Sequence, residues 1–199
     1  MATTAPDGEA QAPTGPRDIL LARHGETDHN VERRFQGRKQ VPLNDNGRRQ
    51  AAELAVRVEA HGPRVIWTSP LIRASETARI VGERLGLVPI EDERLAEVDV
   101  GDWTDLRTPD IEARDGGLLA TWRADEERFT FPGGEAVANA RQRGLEALGD
   151  IAAAGGPALV VSHGMLMRLV MEAMAGGVPG ERMRIGNGLL YAVDGTPVS

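Results

Sequence analysis

Two stretches of the chain run through apolar residues and stop on the same pair. Ile19-Leu20-Leu21-Ala22-Arg23-His24-Gly25 is echoed by Leu159-Val160-Val161-Ser162-His163-Gly164. A neutral imidazole offers a ring nitrogen that serves as nucleophile or hydrogen-bonding group near neutral pH. Arg23 adds a guanidinium whose planar fork fits two oxygens of a tetrahedral oxyanion, and Arg73 offers a second. Two guanidiniums and two imidazoles brought together suit a doubly charged phosphate. The chain has no Cys and no Gly-x-Ser-x-Gly elbow, so His24 is the natural nucleophile, attacking phosphorus to form a phosphohistidine. The leaving alkoxide then needs a proton. Glu97 could supply it and later act as base for the hydrolytic water, with Asp99 and Asp102 in the same segment as the alternatives. The cations would carry the charge on the transferring group, so neither a metal nor another cofactor is required. No His-x-x-x-His spacing offers a metal a site.

These groups work only if the fold delivers them to one place. Both His-Gly segments read as buried parallel strands, and ligands bind beyond the carboxyl ends of such strands. Asn44-Asp45-Asn46-Gly47 offers capping residues, and Ala51, Leu54, Ala55 and Val58 follow at helical spacing. Val65–Thr68 reads as a strand. Ser69-Pro70 then predicts an N-cap and a first-turn proline for a helix carrying Leu71, Ala74, Ala78, Val81 and Leu85. Arg73 falls in that first turn. Val88–Ile90 reads as a brief strand, residues 134–154 and 165–175 as helices, and Leu189–Val193 as an edge strand. Strands alternating with helices predict a three-layer α/β/α sandwich, a mostly parallel sheet with helices on both faces. Residues 98–135, holding Trp103, Trp122, Phe129 and Phe131, form a partly helical, lid-like excursion over one face. Residues 1–17 are Ala, Thr, Pro and Gly with little to bury, and read as a disordered tail before a domain spanning 18–199.

At this point the residues match a known pattern. Arg23-His24-Gly25-Glu26-Thr27, with Asn30 beyond, resembles the signature of the histidine phosphatase superfamily, the phosphoglycerate mutase-like fold. Four further segments follow in order: Phe35-Gln36-Gly37, Ser69–Ala74 with Thr77-Ala78, Leu95-Ala96-Glu97 with Gly101-Asp102-Trp103, and Ser162-His163-Gly164. The resemblance spans about residues 18–193. It implies His24 as the phosphorylated nucleophile and Glu97 as general acid. Arg23, Arg73 and His163 would hold the phosphoryl oxygens, with Asn30, Thr27, Gln36, Gly37 and Gly164 on the substrate side. The family pattern has an aromatic residue before Gly101 and Glu-Gly after Trp103; this chain has Val100 and Thr104-Asp105.

The implied function is metal-independent hydrolysis of a small phosphorylated metabolite. The short stretch between Glu97 and His163 favours this over phosphoglycerate mutase-type transfer, and retention of the whole set argues against a silent phospho-ligand binding module. A net charge of −7 weighs against nucleic acid as partner, and no apolar run suits a membrane span. With no Cys and no signal-like start, a cytoplasmic location is expected. The fold admits a homodimer, and no surface in the sequence marks one. Several residues keep plainer readings. Taken alone, Arg73 would pair with Glu76 one turn on. His29 and His61 are expected on the surface, Trp103 and Trp122 read equally as core or substrate contacts, and Arg33-Arg34 with Arg38-Lys39 form either a steering rim or an ordinary loop.

Overall fold

The computed structural model describes residues 19–176, 184–193 and 196–198. The expected tail, residues 1–17, lies outside them. The sheet has six strands: β1 (Ile19–Arg23), β2 (Val65–Thr68), β3 (Ile90–Glu91), β4 (Ala158–Ser162), β5 (Leu190–Ala192) and β6 (Pro197–Val198), ordered β3-β2-β4-β1-β5-β6. The first four run parallel, β5 pairs antiparallel with β1, and β6 pairs antiparallel with β5. The segment expected as an edge strand is therefore covered by β6 and is not the edge. Every residue of β4 is buried, as a central strand coated on both faces requires.

Strand residues alternate between two apolar layers because successive side chains leave opposite faces. Ala22, Ile66, Leu159 and Val161 meet α2 (Asp45–Glu59) and α3 (Ile72–Leu85) through Leu54, Val58, Ala74 and Val81. Leu21 and Val160 face the other way, toward α5 (Val137–Ala154) and α6 (Gly164–Met174). The three-layer expectation is met. Asn44 caps α2 by accepting from the Gly47 amide at 2.8 Å.

The start of α3 differs from the expectation. Its N-cap is Leu71, in extended conformation, and the Ser69 hydroxyl accepts from the Leu71 amide at 3.2 Å in a turn before the helix. Ser69 is occupied elsewhere, as shown below. The excursion contains α4 (Thr108–Ala124), bent at Asp115, where Gly116 and Gly117 weaken helical propensity. Beneath it Trp103 is fully buried, ringed by Phe35, Trp122, Phe129 and Phe131 with centroids 5.3–6.0 Å away. Phe35, a lone apolar residue in the sequence, is the link between its loop and the excursion.

The short helix α1 (Asp28–Val31) and the loop around it are pinned by a close backbone approach. A Cβ on Gly25 would collide with the Gly47 carbonyl, and one on Gly47 with the Glu26 carbonyl. Gly47→Ala should therefore lower the unfolding free energy by about 2 kcal/mol or more. Denaturant midpoints of the variant and parent would check this.

Candidate active site

The register of β1 and β4 decides where the chemistry sits. Arg23 pairs with Ser162, so the next residues, His24 and His163, leave the sheet side by side. Their ring centroids lie 5.2 Å apart. The Ser69 amide, just past β2, donates to the Val161 carbonyl, which brings a third strand end to the same edge. Above this edge opens a cavity of about 690 Å³. Its inner wall includes Arg23, His24, Arg73, Glu97 and Gly164; its outer wall includes Arg33, Arg34, Phe35, Trp122, Met165 and Arg184.

A hydrogen bond to a carbonyl assigns the His24 tautomer. His24 Nδ1 lies 2.6 Å from the Gly25 carbonyl oxygen, which can only accept, so Nδ1 carries the proton and Nε2 keeps a lone pair. His163 Nε2 lies 2.7 Å from the Ser69 hydroxyl. The other ring nitrogen, His163 Nδ1, is buried and without a partner. Both rings are neutral. Burial pushes each well below its ordinary value, and nearby guanidiniums reinforce the shift: Arg23 and Arg73 at His24, Arg73 first at His163.

The two arginines are held by neutral groups. Arg73 donates through Nη1 to the Lys39 carbonyl and through Nη2 to the Gly37 carbonyl, both at 2.8 Å. Glu76 is not its partner: that carboxylate takes Arg48 at 2.8 Å, so the plain reading of Arg73 fails. Arg23 donates to the Ile185 carbonyl at 2.6 Å. Burial lowers the Arg73 guanidinium to about 10, which leaves it charged at neutral pH. Burial also lowers Arg23, against the opposing pull of Glu97. The Nε atoms of both arginines are buried and unpartnered, like His163 Nδ1. Two guanidinium charges at the cavity wall, each with an unpartnered Nε, are a donor set that suits an anion. A Cβ on Gly164 would lie 3.2 Å from the Arg23 guanidinium, so glycine lets that plane lie against the start of α6.

Glu97 reaches the same cavity. Its carboxylate accepts from the amides of Val98 at 2.9 Å, Leu166 at 3.0 Å and Met165 at 3.2 Å, the last two in the first turn of α6. Asp99 is turned away, accepting from the Gly101 amide at 3.0 Å, and neither it nor Asp102 lines the cavity. Asn30, Gln36 and Gly37 line the wall; Thr27 sits behind them, fully buried, capping α1 and donating to Gln36 at 3.2 Å. Trp103 is core and Trp122 is wall. His61 is exposed, but His29 is only half-exposed and bonds Asp105 at 2.7 Å, contrary to the surface reading.

Sequence reasoning missed four contributors. Ser69 orients His163. Thr77 accepts from the Gly25 amide and donates to the Arg73 carbonyl, tying two functional segments together. Asn187 donates to the His24 carbonyl at 3.0 Å. Arg168, buried at the cavity wall, pairs with Glu126 at 2.8 Å and Glu172 at 3.1 Å. Its signal was a lone charge inside the apolar run Met165–Met171. Among the described residues, no group of three or more His, Asp or Glu side chains gathers as a metal site.

The profile of the histidine phosphatase superfamily (branch 1) matches residues 19–197. The chain belongs to that superfamily. Glucosyl-3-phosphoglycerate phosphatase of Mycobacterium tuberculosis is 34% identical over 168 residues, covering 79% of this chain and 75% of the relative. A protein named probable phosphoglycerate mutase GpmB, from Cronobacter sakazakii, is 34% identical over 186 residues, covering 88% of this chain and 84% of the relative. Among solved structures, a mycobacterial glucosyl-3-phosphoglycerate phosphatase complexed with VO3 superposes with a TM-score of 0.79 at 31% identity, covering 86% of this chain and 90% of that one. No helix among the described residues is long and apolar enough to cross a membrane.

The neutral histidines make stability depend on pH in one direction. Once unfolded, each regains an ordinary value near 6.5, so below that pH the unfolded chain binds more protons than the native one. Their contribution is whole above pH 6.5 and drains away as pH falls toward the native values. Unfolding free energy should drop on acidification by up to about 1.4 kcal/mol per pH unit for each histidine. His163→Gln should remove one histidine's share of that slope; an unchanged slope in chemical denaturation between about pH 5 and 7 would contradict the assignment.

Proposed function

We propose that the chain is a metal-independent phosphomonoesterase acting through a phosphohistidine at His24. The observation that carries this reading is the pairing of a fixed His24 Nδ1–H with three unpartnered buried nitrogens on Arg23, Arg73 and His163. The cradle binds the phosphoryl oxygens, and Nε2 attacks phosphorus as the ester P–O bond breaks. Positive charge grows on the ring, and the Gly25 carbonyl at Nδ1 stabilises it. Glu97 gives its proton to the departing alkoxide oxygen. Water then attacks the phosphorus of the phosphohistidine, Glu97 takes up the proton, the N–P bond breaks, and inorganic phosphate leaves with His24 neutral again. Arg23 and Arg73 hold the charge of the phosphoryl group through both transfers.

The substrate is a small phosphorylated metabolite. The similarity to a glucosyl-3-phosphoglycerate phosphatase places glycosylated phosphoglycerates first in a panel, and the aromatic and arginine-bearing outer wall is compatible with such a polar body. The likeness to a probable phosphoglycerate mutase supports a second reading, transfer between positions of one phosphoglycerate, which a 3-phosphoglycerate isomerisation assay would detect. The cytoplasm is the compartment this reading favours.

Phosphate release from a panel of esters in EDTA is the test. His24→Ala should abolish turnover in a folded protein, a loss of about 10³-fold or more. Glu97→Gln should slow alkyl phosphates by about 10²-fold while aryl phosphates, whose leaving groups need little protonation, lose far less. Full activity in the first variant would reject the nucleophile. Equal losses on both ester classes in the second would move the proton donor elsewhere. Phosphate binding without release from any ester would favour a silent binding module.

A further inference from the structure

Asp105 does not line the cavity, but it bonds to the segment that does and stands at positive φ. Asp105 has φ of 68°, a left-handed conformation that most side chains avoid and that aspartate adopts at smaller cost. Its position is the one where the family pattern places glycine after the tryptophan. Glycine would meet that backbone angle without strain; the aspartate carboxylate adds bonds that glycine lacks. It binds a great deal. Oδ1 lies 2.7 Å from His29 Nε2 and Oδ2 accepts from Lys39 Nζ at 2.6 Å. Its carbonyl accepts from Arg34 Nη1 at 2.7 Å, and its amide donates to the Phe35 carbonyl at 2.8 Å. Every partner lies in the loop 29–39. The hydrogen bonds from Lys39 and His29 hold the carboxyl below its usual range, so it is ionised at neutral pH.

That loop presents the acceptors for Arg73. The Lys39 whose ammonium is tied to Asp105 gives its carbonyl to Arg73 Nη1, and Gly37 gives its carbonyl to Nη2. The Gly37 turn is itself seated on Val100 and Thr104, with the Gly37 Cα region too close to Val100 to admit a side chain. The guanidinium therefore takes its orientation from the 36–39 turn, and the turn takes its position from residues 100–105.

We infer that Asp105 is a positioning residue: it clamps residues 29–39 through Lys39 and His29, and thereby sets the plane of the Arg73 guanidinium, whose unpartnered Nε is left for the phosphoryl group. This rests on Arg73 being a phosphate ligand, as proposed above. Asp105 acts through Lys39 and Arg73 and has no direct part in the chemistry.

Asp105→Gly is the informative variant, because it relieves the backbone while deleting the carboxylate. Its thermal midpoint should stay within a few degrees of the parent, since relief of strain offsets the lost bonds. Its kcat/KM on p-nitrophenyl phosphate should fall by about tenfold, and its affinity for inorganic phosphate, read by calorimetry, by a similar factor. The deciding comparison is a double-mutant cycle with Arg73→Ala. If Asp105 works through Arg73, adding Asp105→Gly to Arg73→Ala costs nothing more in phosphate affinity. Full additivity, or an unchanged single variant beside an active parent, overturns the proposal alone. A parent that neither releases nor binds phosphate overturns the functional reading, and this proposal with it.

Discussion

Positive charge held near the sheet edge by neutral acceptors is the constraint from which the rest of the structure follows. Arg73 and Arg23 donate to carbonyls of Gly37, Lys39 and Ile185, and among the described residues neither forms an ion pair. A carboxylate partner would have quenched the charge; a carbonyl orients the guanidinium and leaves the charge for a ligand. Burying such groups opposes folding, so the surroundings must over-determine them. The two histidines answer by staying neutral. The dense apolar layers around β1, β2 and β4 supply the stability that the site subtracts.

Close approach of backbones is the means by which the fold meets this constraint. The contact of Gly25 with Gly47 draws the β1 exit loop against the start of α2, and Gly164 lets the Arg23 plane rest on α6. The first turn of α6 has a double use. Its amides fix the Glu97 carboxylate, while its N-cap residue is His163 itself. A single helix start thus positions a candidate acid and a candidate phosphate ligand.

The strands and their histidines were legible in the sequence because burial on both faces writes a continuous apolar run, and a turn must follow it. The α2 and α3 stripes were legible for the same reason at helical spacing. The start of α3 was not, because Ser69 is drawn toward His163, 94 residues away, and a local capping rule does not see that bond. Contacts of this kind account for most of what was missed. His29 looks exposed from the sequence because its partner Asp105 lies 76 residues on, and Arg168 shows no local partner because Glu126 is 42 residues back. The misplaced edge strand reflects β6, a two-residue strand too short to leave a pattern.

The proposed mechanism is covalent, with phosphorus passing through His24 Nε2. Rapid quench of the enzyme during turnover of a phosphomonoester, under alkaline conditions that preserve phosphohistidine, followed by peptide mass spectrometry, addresses it directly. One phosphoryl group is expected, on His24, lost in acid and absent from His24→Ala. A phosphoenzyme on any other residue, or steady turnover with no phosphoenzyme under conditions that trap one in a known histidine phosphatase, would contradict it.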